Sequence, residues 1–375
     1  MTTLEDGSEF GLKGHFKEDF SHRTRIGLAP PAGEIDRNAP YKRIATEEAW
    51  TFPALVKAQI EYLESGEAPA DDSLKMAGMF SRMPSLQEML QDLGDLRLAH
   101  MDEYGIDRQL LLLTAPGVQV VRPGEGTPLA REANDIAAEA CRKHPDRFSA
   151  LAAFDPRDVA GSVKEIERAM GTLGLNGAVL NSHFQGRYID EREFFPVLEA
   201  LEANDAALYI HPTAPFNAPH YEARGFFGAL GGFPHDVWLH TMGLIFSGAF
   251  DRFPKLRLVI GHMGECMPLQ LYRFDWMQGN ADGRVVPARP EPVKLQHPVS
   301  HYFHNNIWIT TSGVAWEPAI RFCMDVLGPE RVLYAMDYPY QQSSDEVAAY
   351  DRMELSPEHK KMLMEGNART VFRLP

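Results

Sequence analysis

Cysteine is scarce: Cys141, Cys266 and Cys323 are the three in 375 residues. An odd number without metal-type spacing excludes a disulfide framework and fits a reducing compartment. No stretch approaches the ~18 continuous apolar residues of a membrane-spanning helix. The opening twenty residues, MTTLEDGSEFGLKGHFKEDF, carry charges throughout and no apolar core of the signal-peptide kind, so a cytoplasmic protein is expected. Basic residues are outnumbered, 37 against 52 acidic ones for a formal net charge of −15, and no Lys/Arg-rich block stands out. Neither nucleic acid nor a membrane is an expected partner. Also missing is a G-x-G-x-x-G after the first apolar run, which removes the dinucleotide-binding version of a doubly wound sheet.

What is present is a hydrophobic content of 44%, enough to bury a large core. Eight short apolar runs recur, at 43–50, 108–117, 148–156, 177–183, 207–213, 256–264, 306–313 and 332–340. Helical patterns separate them, at 84–105, 129–145 and 317–328 for example. Near-continuous apolar strands alternating with helices predict an α/β fold, a (β/α)8 TIM barrel whose parallel strands have no wet face, with a doubly wound sheet as the rival. Residues 1–40, rich in Gly, Pro and charge, read as an N-terminal arm, or else as disorder, ahead of a barrel domain over 41–375. Thr51–Met83 and Gln278–Tyr302 are long enough to be loop insertions over the barrel mouth. SPEHKKMLMEGNARTVF, with a Ser cap and a nearby Glu, reads as a closing helix.

The first run, RIATEEAW, ends in two adjacent carboxylates, Glu47 and Glu48. Successive strand residues face opposite ways, so only one of them looks into an enclosed interior, and it needs a cation, an arginine or a metal there. The other runs supply partners near their ends: His183 on the fourth, His211 on the fifth, His262 on the sixth and Asp337 on the eighth. On a closed barrel such ends surround one mouth, where carboxylates and imidazoles could hold a divalent ion. Taken singly, the His of YIHPT could equally be a satisfied core residue and the Asp of MDYPY a turn cap. In IGHMGE, Glu265 is placed to accept a proton from His262 and fix its ring, a proton-transfer arrangement, or simply to favour a helix start. Arg82, and Arg273 some two turns into the next helix, are candidates to pair bidentately with a substrate carboxylate. Arg187 reads as a loop brace. Between the fifth and sixth runs, Phe233 could stack on a planar substrate, and His240, near the start of an apolar helix, is a weaker candidate for a ligand contact.

These blocks, RIATEEAW, LLLTAPGVQ, LNSHFQGRYID, YIHPT, IGHMGE, TTSGVAWEPAI and YAMDYPY, resemble the amidohydrolase superfamily from Arg43 to the C-terminus. Within it they are similar to the metal-dependent nonoxidative decarboxylases of hydroxybenzoates. The resemblance implies a distorted barrel holding one divalent metal, Mn2+ favoured and Zn2+ possible. It implies Glu47, His211 and Asp337 as ligands, and His262, Glu265 and Asp337 as catalytic groups. Arg82 and Arg273 would bind substrate, with Phe233, His183 and His240 around it. The substrate would be a small phenolic carboxylic acid carrying hydroxyl or methoxyl groups, the product a phenol and carbon dioxide, and the assembly a homodimer or homotetramer. One departure from the wider superfamily stands out. Ala49 sits two positions after Glu47, where many members carry a second ligand, and this weakens the alternative of a hydrolase acting on a lactone, ester or amide through two metals.

Overall fold

The computed structural model describes residue 28 and residues 30–69, 72–226, 228–281 and 293–375. Nine strand segments follow in chain order: β1 (Ile44–Trp50), β2 (Arg108–Leu113), β3 (Phe148–Ala150), β4 (Ala152–Ala153), β5 (Gly177–Asn181), β6 (Ala207–His211), β7 (Arg257–Ile260), β8 (Ile307–Thr310) and β9 (Val332–Leu333). Every pairing between them is parallel. β3 and β4 are two halves of one run, interrupted at Leu151, whose N–H still bonds to Leu111 of β2 at 2.8 Å. The eight expected runs are therefore all present. Closure comes from β1, where the N–H groups of Thr46 and Ala49 reach the carbonyls of Tyr334 and Tyr338 at 3.1 and 2.7 Å. Most strand residues are buried on both faces, which is why the runs lack a polar alternation.

The strands stop earlier than the apolar runs suggest. β5 ends two residues before His183, β7 two before His262 and β9 four before Asp337. His183, His262 and Asp337 thus stand on short loops just beyond the strand tips, while Glu47 lies within β1 and His211 is the last residue of β6. Among the helices, the pattern over 84–105 divides into Pro84–Gln91 and Asp95–Tyr104. The break is made by Asp92, whose Oδ1 accepts the N–H groups of Gly94 and Arg97 at 2.9 and 3.0 Å. In the closing segment Ser356 Oγ accepts from the N–H of His359 at 3.1 Å, as the cap pattern predicts.

The first insertion folds into helices Pro53–Ser65 and Asp72–Phe80. Met76 of the second packs with Ala115 after β2 and Ala214 after β6, so this helix roofs the C-terminal end of the barrel. In the second insertion, helices Leu271–Ala281 and Val299–Asn305 flank residues 282–292, which lie outside the described residues, as do 1–27 of the arm. The last part of the arm lies along the barrel, with Asp36 N–H on Asp351 at 2.8 Å and Arg352 on the carbonyl of Pro31 at 2.8 Å.

Candidate metal centre

Glu47, His211 and Asp337 each place a ligand atom within 4.8 Å of the others. They come from β1, the end of β6 and the loop after β9, three points that only a closed barrel brings together. Nε2 of His211 is 3.5 Å and Nε2 of His262 3.4 Å from Oε1 of Glu47. Among the described residues that oxygen has no hydrogen-bond donor although it is buried, and the same holds for Nδ1 of His211. The other oxygen, Oε2, is fully engaged: it accepts from the hydroxyl of Tyr209 and from Oγ1 of Thr310, the latter at 2.9 Å.

Electrostatics favour a cation. Burial, and then the charge of Glu47, push the Asp337 carboxyl well above its ordinary range despite the opposing pull of His262. Two buried carboxylates this close repel, and a divalent ion lets both stay ionised. Burial lowers His211 to about 4, against the pull of Glu47, so at neutral pH it is the neutral imidazole that metal ligation requires. The donor set of two carboxylates and one imidazole, with a buried unpaired Glu47 oxygen at its centre, fits one divalent ion.

His262 is held by strain. Residues His262, Met263, Gly264, Glu265 and Cys266 all have φ between 50° and 70°, a left-handed path unfavourable for side chains other than glycine. The turn folds Glu265 back so that its Oε1 lies 2.8 Å from Nδ1 of His262, leaving Nε2 directed at Glu47. Burial lowers the affinity of His262 for its proton, but Glu47 and Glu265 more than reverse this and raise it to about 10. A cation on Glu47 would offset the share of Glu47 and leave that of Glu265. Asp337 also has a positive φ, 72°, and such residues gather where structure enforces function.

The remaining candidates are not all drawn together. His183 is fully committed: Nδ1 accepts from the N–H of Gly186 at 3.3 Å and Nε2 donates to the carbonyl of Ala214 at 2.7 Å. His240 lies in the middle of helix Gly232–Phe246, not near its start, because the helix takes in the whole HDVWLH stretch. It is buried, accepts from the N–H of Ile189 at 3.3 Å, and is lowered to about 3 by burial and by His183. Phe233 packs with Met76, Met79 and Phe80 under the roofing helix, beside Ala115 and Ala214 at the strand ends. Arg82, on the turn after that helix, and Arg273 are exposed. Arg273 is the third residue of helix Leu271–Ala281, in its first turn rather than its second. Arg187 is a brace, paired with Glu191 and Glu193 at 2.5 Å each.

Both carboxylates of RIATEEAW are buried, which a single enclosed interior does not anticipate. Glu48 lies in the second buried layer, between strands and helices, and accepts from the N–H of Met336 at 3.0 Å and from Gln109 at 3.3 Å. Burial raises it to about 8, against the hydrogen bond from Met336 and the charge of Arg97. Tyr209 and Thr310 were hidden in the sequence among apolar neighbours, although Tyr209 stands two residues before His211 and so shares its face of β6. A surface cavity of about 780 Å³ runs beside helix Gly126–Lys143; its residues bear none of this chemistry.

A parallel eight-stranded barrel with carboxylate and imidazole donors converging inside its C-terminal end defines a metal-dependent barrel enzyme. The chain belongs to the amidohydrolase family, whose sequence pattern it matches over residues 82–374. It is similar to the 5-carboxyvanillate decarboxylase of Novosphingobium aromaticivorans, solved with manganese and 3-methoxy-4-hydroxy-5-nitrobenzoic acid, at 40% identity and a TM-score of 0.86 over 92% of this chain and 100% of that one. The gamma-resorcylate decarboxylase of Rhodococcus jostii is 34% identical over 77% of this chain and 90% of its own length. A dihydroxybenzoic acid decarboxylase of Polaromonas, solved with manganese and 2-nitroresorcinol, is 29% identical with a TM-score of 0.75, over 89% of this chain and 97% of that one.

Proposed function

We propose that this chain is a carbon-carbon lyase, removing carbon dioxide without oxidation from a hydroxylated or methoxylated aromatic carboxylic acid of the 5-carboxyvanillate kind. The observation that carries the reading is the convergence of Glu47, His211 and Asp337 within 4.8 Å. A bound divalent ion, Mn2+ before Zn2+, supplies a Lewis acid for the substrate carboxylate and its neighbouring phenolic oxygen.

The protein groups do the rest. Arg82 and Arg273 pair with a carboxylate of the substrate and fix the ring. Phe233 and the apolar side chains under the roofing helix take the ring face and keep water away. His183 and the fully buried His240 stand behind the pocket wall, their rings held by backbone groups. His262, kept protonated by Glu265, delivers a proton from Nε2 to the ring carbon that bears the departing carboxyl group. That carbon becomes tetrahedral and the ring loses its aromaticity. Cleavage of the carbon-carbon bond then returns the electron pair to the ring, releases carbon dioxide and restores aromaticity. Asp337 is the alternative donor.

No described helix is long and apolar enough to cross a membrane, and we place the enzyme in the cytoplasm. Leu269, Tyr272, Trp276 and Met277 are exposed along one helix and its lead-in, and support a homodimer or homotetramer. Incubating the metal-loaded protein with 5-carboxyvanillate and, separately, gamma-resorcylate tests the activity. Release of carbon dioxide with the decarboxylated phenol is expected, abolished by a chelator and restored by Mn2+. Cleavage of a lactone or ester panel without gas release would instead support the hydrolytic alternative.

A further inference from the structure

The Glu47 carboxylate is held by more than its place on β1. Its Oε2 receives two hydroxyl donors from strands either side of β7, Tyr209 on β6 and Thr310 at the end of β8, and these two hydroxyls lie 3.2 Å from each other. Tyr209 and Thr310 are fully buried. From a third side the carboxylate lies against Gly261, where an added Cβ would stand 2.7 Å from Oε2 and 3.1 Å from Oε1. Gly261 has φ −75°, a conformation any residue adopts, so its lack of a side chain is needed for space and not for backbone freedom. The terminal torsion of a glutamate is otherwise broad and poorly fixed.

We propose that Tyr209, Thr310 and Gly261 form a clamp that commits Oε2 of Glu47 to protein hydroxyls and reserves Oε1 alone for the cation. They are positioning residues, acting on metal through Glu47. The clamp removes the carboxylate's rotational freedom before metal arrives, so binding does not have to order it. It also explains why a buried Tyr sits on the inward face of an otherwise apolar strand, since a phenol reaches further than a Thr and donates to a carboxylate at the barrel axis. The inference rests on the Glu47, His211 and Asp337 reading of the site.

The test measures Mn2+ affinity of the metal-stripped full chain by competition with a fluorescent chelator, together with the urea midpoint of each stripped protein. Tyr209→Phe and Thr310→Val are expected to weaken Mn2+ by ~10–100-fold each, the usual effect of losing a group that orients a ligand, with midpoints close to wild type. Thr310→Ser, which keeps the hydroxyl, should bind nearly as wild type does, and Gly261→Ala should weaken binding by displacing the carboxylate. If Tyr209→Phe and Thr310→Val bind Mn2+ as tightly as wild type while Asp337→Asn loses it, the clamp is wrong and the metal site stands. A fall in midpoint with unchanged affinity would likewise overturn it, as a purely structural role. Wild-type protein that takes up no Mn2+ would remove the site reading and the clamp together.

Discussion

Nδ1 of His262 lies 2.8 Å from Oε1 of Glu265 across a turn in which five consecutive residues have positive φ. Under the proposed function this pair makes the ring the proton donor, and its two members should affect turnover differently. His262→Asn is expected to lower turnover by ~10²–10⁴-fold, the usual range for losing a general acid, with metal content near normal by elemental analysis. A variant that keeps normal turnover and normal uptake of deuterium into the product ring from heavy water would exclude His262 as the donor.

Glu265→Gln should reveal itself in the pH profile. Glu265 raises the His262 pKa, so its neutral replacement lowers it. A donor must be protonated, and activity that depends on it is lost as pH rises through its pKa. The alkaline limb of kcat/KM is therefore expected at lower pH in Glu265→Gln than in wild type, while the acid limb stays in place.

Arg82→Ala and Arg273→Ala, whose side chains are exposed, should each lower kcat/KM for the acid substrate while metal affinity stays unchanged. Arg187→Ala is the contrast. Its pairs with Glu191 and Glu193 are at the surface, where such bridges contribute ~0–1 kcal/mol, and neither kinetics nor urea midpoint should move appreciably.

Arg97 is buried and gives hydrogen bonds to the carbonyls of Ala49, Met89 and Asp92 and to the side chain of Gln109, between 2.7 and 3.2 Å. Its guanidinium also lies 4.6 Å from the ring centre of Tyr338, next to Asp337. Arg97→Met leaves these acceptors without their donor and removes the positive charge that favours ionised Glu48, and a loss of ~3–5 kcal/mol in urea unfolding is expected.

Acid stability should carry the mark of His240. Its pKa falls from 6.5 to about 3 on folding, so the unfolded chain binds the proton first. The neutral buried ring therefore contributes stability that is complete above pH 6.5 and is lost as pH falls toward 3. Between pH 7 and 5 the urea midpoint of wild type should fall further than that of His240→Asn.

The site was legible because parallel strands covered on both sides are mostly apolar, so a charged or imidazole side chain within or just after one needs a reason. Glu47, His211 and Asp337 stand out in apolar runs for that reason, and the structure places them together. Alternation separates Glu47 from Glu48 but does not reveal that Glu48 is buried as well, because here helices cover the outer face of the strands too. Arg97, in the charged helix DLRLAHMDEY, reads as a surface residue, and its acceptors are backbone carbonyls that no side-chain pattern records. The left-handed turn at 262–266 was invisible because only one of its residues, Gly264, advertises positive φ. His240 was placed at a helix start because GGFPHDVWLH contains Gly and Pro; Pro is tolerated in a first turn, and the helix begins at Gly232.

The closure between β1 and the segment after β9 joins residues 288 apart in sequence, Thr46 and Tyr334. A nascent chain lays down β1 early and leaves one of its edges unpaired through most of synthesis, a template for wrong partners. Glu47 sits on that first edge and Asp337 beyond the last strand, so a cation shared between them works as a clasp across the seam. Its binding to the closed barrel alone adds about 2.7 kcal/mol when free metal exceeds its Kd by a factor of about 100. Opening the seam and holding the ion are then linked, and free metal shifts the balance toward the closed barrel.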